Sequence, residues 1–101
     1  MHLGELIKRL EMENQIRVLP IGFKRPHSYR GHYADLAFER AENVTIGEML
    51  TLAKSALGET FTGYKGGHYV MKEYTDVWLA EYGQGDGETI GPLLLDYMLK
   101  Q

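Results

Sequence analysis

The chain contains no cysteine. Disulfides and thiolate metal sites are therefore excluded, and the composition suits a reducing cytoplasm. Long apolar runs are also missing: nothing approaches the ~20 residues of a membrane-spanning helix. The opening Met1-His2-Leu3-Gly4-Glu5 leads into a charged amphipathic segment, so it does not read as a signal peptide. Nor is there an excess of base. Against 14 Asp and Glu stand 11 Lys and Arg, a formal net charge of −3. Nucleic-acid binding by phosphate neutralisation is not expected from that balance. No low-complexity segment interrupts an ordinary globular composition. A chain of 101 residues reads as one domain, 1–101, able to build a single core.

Charge is unevenly placed. Lys24, Arg25 and Arg30 fall in one stretch without an acid. From Glu73 to Leu99 come Glu73, Asp76, Glu81, Asp86, Glu88 and Asp96 without a base. Each stretch can face a partner, the two can face each other in an oligomer, or both are solvated surface.

Apolar spacing at Leu3, Leu6, Ile7 and Leu10 predicts an amphipathic helix over 3–13. Residues 15–23 read as a strand whose alternation slips, which a bulge near Pro20 or an edge position would explain. Pro, Ser and Gly make 24–31 a loop, and 33–39 returns as a strand. Thr45 and Glu48 form a capping box for a helix over 45–57, ended by Gly58. Two strands at 68–72 and 76–82 then read as a hairpin. The second is apolar on both phases, as in a central strand. A glycine-rich connection at 83–88 leads to a last helix from Ile90, with Pro92 in its first turn. That helix, 90–99, is apolar nearly all round and predicts a homo-oligomer, a dimer by preference. The fold expected is α+β: a small antiparallel sheet of about four strands with three helices, in the order α-β-β-α-β-β-α. Similar helix starts at Leu3-Gly4-Glu5, Ile46-Gly47-Glu48 and Ile90-Gly91-Pro92 suggest a duplicated half-domain, or merely shared capping chemistry.

One motif occurs twice, as Tyr29-Arg30-Gly31-His32-Tyr33 and Tyr64-Lys65-Gly66-Gly67-His68-Tyr69. Glycine allows close backbone approach, tyrosine offers a ring with a polar tip, and the cation suits phosphate or carboxylate. If the two loops share one end of the sheet, they can wall a cleft for a small anionic, nucleotide-like ligand. The candidate ligand-binding residues are Arg25, Tyr29, Arg30, Tyr33, Tyr64, Lys65, Gly66, Gly67, His68 and Tyr69. The plain alternative is tyrosines packed on neighbouring strands and cations in water. Phe61-Thr62-Gly63-Tyr64-Lys65-Gly66-Gly67 lacks the ending of a nucleotide-hydrolysing loop. No histidine spacing fits a metal site, and His32 and Asp35, three apart on a strand, point to opposite faces. No catalytic residue or cofactor is assigned, although His32 or His68 with a tyrosine can do acid–base work.

The run Ser28-Tyr29-Arg30-Gly31-His32-Tyr33-Ala34-Asp35-Leu36-Ala37-Phe38, with Gly63-Tyr64-Lys65-Gly66-Gly67 and Val77-Trp78-Leu79-Ala80-Glu81-Tyr82-Gly83, resembles a family of short phage- and prophage-encoded proteins. The resemblance covers most of the chain. It implies a phage accessory protein in the bacterial cytoplasm and brings no activity or site residues with it. Small phage proteins of this kind often counter host defences. The first reading is therefore sequestration of a nucleotide-like signal. The alternative is inhibition of a bacterial defence protein through an acidic surface, and the third is a small enzyme acting on a nucleotide-like substrate.

Overall fold

Helix α1, Leu3–Glu11, forms where the apolar stripe predicts it and buries Leu3, Leu6, Ile7 and Leu10. The backbone N–H of His2 donates to Glu5 Oε1 at 3.1 Å, satisfying one of the free donors at the helix start. The computed structural model describes residues 1–101.

A long hairpin follows, β1 (Val18–Tyr29) with β2 (His32–Thr45), paired antiparallel. Residues 24–31 are thus mostly strand and not loop. Lys24 pairs with Glu39 and His27 with Ala37, so Arg25 and Pro26 together oppose Phe38 alone. That is a β-bulge, with Arg25 in the left-handed region at φ 51°. The bulge absorbs Pro26, which has no N–H to offer. It lies five residues beyond Pro20, where the register runs without a shift from Leu19 to Ile21. Pro20 is tolerated because β1 is an edge strand.

Thr45 caps α2, Ile46–Ala56. Glu48 N–H donates to Thr45 Oγ1 at 3.0 Å, and Thr45 N–H to Glu48 Oε2 at 3.1 Å. The helix buries Ile46, Met49, Leu50, Ala53 and Ala56 and stops before Gly58, whose φ of 84° favours glycine.

The expected hairpin between 68–72 and 76–82 does not form. Instead β3 (Thr60–Thr62) pairs with β4 (His68–Val70) in a small sheet of its own. Strand β5 (Val77–Leu79) lies parallel to β2, with Leu36 opposite Val77 and Phe38 opposite Leu79. On its other side runs β6, Glu88–Thr89, antiparallel. The main sheet is therefore mixed, ordered β1-β2-β5-β6, and β5 is central as its two apolar phases predict. Val77 and Leu79 extend the apolar row of β2, burial that pairing with the exposed His68 and Val70 could not supply. The chain is α+β with three helices. An α-β-β order does recur, but β3–β4 is far shorter than β1–β2 and stands outside the main sheet.

Helix α3, Pro92–Leu99, buries Leu95, Met98 and Leu99. All three helices feed one core with Leu19, Phe23, Leu36, Phe38, Val44 and Val77, in which the Phe23 and Phe38 rings lie 4.4 Å apart. Alternation sends Ala37, Trp78 and Ala80 to the opposite face of the sheet, where they join Tyr29 in a second, smaller cluster. No helix is long and apolar enough to cross a membrane.

Candidate functional site

Both copies of the repeated motif are hairpin tips. Tyr29 pairs with His32, leaving Arg30 and Gly31 as a two-residue turn between β1 and β2. Tyr64 to Gly67 turn between β3 and β4, closed by Gly66 N–H donating to Gly63 O at 2.9 Å and Gly63 N–H to Gly67 O at 2.6 Å. Gly66 sits at φ 100°, where a side chain would be strained.

The two tips meet. The Arg30 guanidinium carbon lies 4.4 Å from the centre of the Tyr64 ring, within cation–π range. Behind it the Tyr33 and Tyr69 rings are 5.9 Å apart, with Gly63 packed against both. A third segment completes the arrangement. Tyr82 lies 5.7 Å from Tyr64 and 5.6 Å from His27, and Arg30 Nη1 donates to Gly83 O at 2.9 Å.

Tyr29 serves the site from beneath. Its ring is buried and stacks on Trp78 at 4.5 Å, with the planes 21° apart. Its hydroxyl accepts from Gly87 N–H at 2.9 Å and donates to Gly85 O at 3.1 Å. The glycine-rich segment 83–87 is thus clasped by the first tip. Trp78 Nε1 donates to Asp35 Oδ2 at 3.0 Å, and Asp35 lies 3.3 Å from His32 Nδ1. The expectation that His32 and Asp35 face apart fails because Tyr33 to Asp35 leave the ladder between Ser28 and Tyr29. The Ser28 hydroxyl donates to Tyr33 O at 2.6 Å inside that irregularity.

Nine of the ten candidate residues therefore gather at one end of the molecule, with Lys65, Gly66, Gly67 and His68 at its exposed margin. Arg25 does not join them. It lines a separate groove with Lys24, Glu39, Arg40 and Ala41, which contains no tyrosine. Sequence reasoning missed Trp78, Tyr82 and Gly83 as parts of the tip. The Tyr82-Gly83 pair, echoing the tyrosine–glycine content of the motif, was the available signal.

The tip is a surface and not a cleft. The largest hollows, about 610 Å3 beside Gln15, Lys24 and Glu48 and about 410 Å3 along α1 beside Glu73 and Tyr74, contain no motif residue. Arg30 is held by a ring and a carbonyl, and no hollow encloses the donors it has left. The acids of 73–88 do not form one face either. Asp76 is 3.3 Å from His2 at the start of α1, and the backbone of Glu73 accepts from Gly4 there. Glu81 instead meets Glu39, and Glu88 lines a groove beside α3.

Burial, and next the Glu81 carboxyl with which it shares a hydrogen bond, push Glu39 above the usual carboxylate range against the pull of His27 and Arg25. Asp96 moves the other way, held low chiefly by the hydrogen bond from Arg9 at 2.7 Å. No group of three His, Asp or Glu side chains is placed to hold a metal ion. Comparison of the chain with protein-family models, curated proteins and solved structures gives no match.

Proposed function

We propose that the protein acts by binding another protein through the face where its two hairpin tips meet. The observation that carries this reading is Arg30 lying on Tyr64 beside the exposed Tyr82, none of the three lining a cavity. Tyrosine and arginine on rigid turns are the side chains that dominate protein interfaces. Tyrosine presents large contact area at small entropy cost. An enclosed nucleotide pocket is less well supported, since the rings pack on one another. Single-stranded nucleic acid also uses rings and cations, but Arg30 and Lys65 are the only cations of the tip on a chain of net charge −3. The resemblance to short phage proteins supports a partner in the bacterial cytoplasm, such as a defence protein. The scattered acids favour the tip over an acidic surface as the contact.

Affinity capture from bacterial lysate tests the reading. The wild-type chain should retain a discrete partner that the Arg30→Ala/Tyr64→Ala variant loses, a drop of about 30-fold or more for paired hot-spot residues. Equal capture by both would overturn it. So would a nucleotide that raises the wild-type melting temperature but not the variant's, which would restore the small-ligand reading. Self-association through α3 is a second reading, favoured by Leu93 and Tyr97, which are 87% and 60% exposed.

A further inference from the structure

The β-bulge that sets Arg25 apart from the tip builds a feature of its own. It places Arg25 at the rim of the groove that Lys24, Glu39, Arg40 and Ala41 line, with its side chain largely exposed. We propose that Lys24, Arg25 and Arg40 in this groove form a binding site for a small phosphate-bearing anion.

Three observations converge on it. First, the cations are weakly engaged. Lys24 lies 3.7 Å from Glu48 and Arg25 3.8 Å from Glu39, both longer than the about 2.7–2.9 Å of a charge-assisted hydrogen bond. Arg40 takes part in none of the ion pairs of the molecule, so its fork of donors is free. Second, the bulge holds Arg25 in the left-handed backbone region, which only Asn43 shares among residues with a side chain. Such strain persists only where the surrounding structure over-determines it, and it clusters at functional sites. Third, the one acid in the groove is muted. Glu39 stands alone against three cations, and its own shift is upward, away from the charged form.

Size narrows the ligand. At about 280 Å3 the groove falls just below the roughly 300–1,000 Å3 of sites for drug-sized molecules. A phosphate or diphosphate group fits that space, and two arginines supply planar donors for its oxygens. A nucleoside attached to it would extend outside. The site shares no residue with the Arg30–Tyr64 face and stands independently of the function proposed above.

Calorimetric titration with inorganic pyrophosphate at fixed ionic strength tests it, with adenosine diphosphate as a second arm. The wild-type chain should bind pyrophosphate saturably, with half-saturation below about 1 mM, and Arg40→Gln and Arg25→Gln should each weaken it about tenfold, a loss of about 1.4 kcal/mol. Lys8→Gln, which removes one cation elsewhere, should change nothing. Equal binding in the two arms means that the groove reads phosphate alone, and tighter nucleotide binding means that it reads more; both support the site. Absence of saturable binding below 10 mM, or equal weakening by Lys8→Gln, overturns it.

Discussion

Gly87 is pressed between strands: a Cβ there would sit 2.6 Å from that of Ala80 and 2.8 Å from the Leu79 carbonyl oxygen. The backbone atom cannot swing aside, so Gly87→Ala should lower stability by about 1–3 kcal/mol, read as a lower urea midpoint. Tyr29→Phe should cost a similar amount for a different reason, since Gly87 N–H loses its acceptor while the stack on Trp78 survives. Glu39 gives a pH-dependent case. Its folded-state pKa lies above the ordinary glutamate value, so its contribution to stability is full below that value and is lost as pH rises through the folded one. Glu39→Gln should therefore raise the urea midpoint near pH 7, with the gain vanishing toward pH 4. Asp96 has the opposite sign: what Arg9 lends it is present at neutral pH and lost as pH falls through its depressed pKa.

At the scale of elements, the helices were the most legible part, because their signals are local. The stripe of α1 and the Thr45–Glu48 box each specify a helix within a few residues. Thr45→Ala should accordingly cost about 1 kcal/mol, measurable by thermal denaturation. Strands were less legible where pairing is decided far along the chain. Pro26 and Ser28 are turn-formers by local preference, yet the bulge opposite Phe38 carries β1 past them to Tyr29. Neighbouring strands suggested a hairpin at 68–82, but β5 pairs with β2 across an intervening helix and a small sheet. Nothing near Val77 specifies that parallel partner. Helix α3 leaves Leu93 and Tyr97 outward. If that face closes on a second copy, Leu93→Lys should halve the mass found by light scattering at micromolar concentration.

Over the whole molecule, the repeated motif was legible as a site in its letters and not in its form. Matching turn sequences can mark two ends of a fold or one, and only the placement of β3–β4 against β1–β2 brings Arg30 onto Tyr64. Composition suggested a cleft because tyrosine, cation and glycine are what a ligand wall needs. The same letters also satisfy each other when the walls touch. Arg25 reads by sequence as part of the basic loop that carries the first copy, yet the bulge sends it to a different groove.

Trp78 is the only tryptophan of the chain, and it lies beneath the hairpin-tip face, on Tyr29 and within hydrogen-bond reach of Asp35. The molecule thereby carries an intrinsic optical gauge of the ground on which that face rests. Its emission should stay unshifted when a ligand fills the Arg40 groove, and should move when a protein docks on Arg30 and Tyr64. A single cuvette can then tell occupancy of one surface from occupancy of the other without a label on either partner.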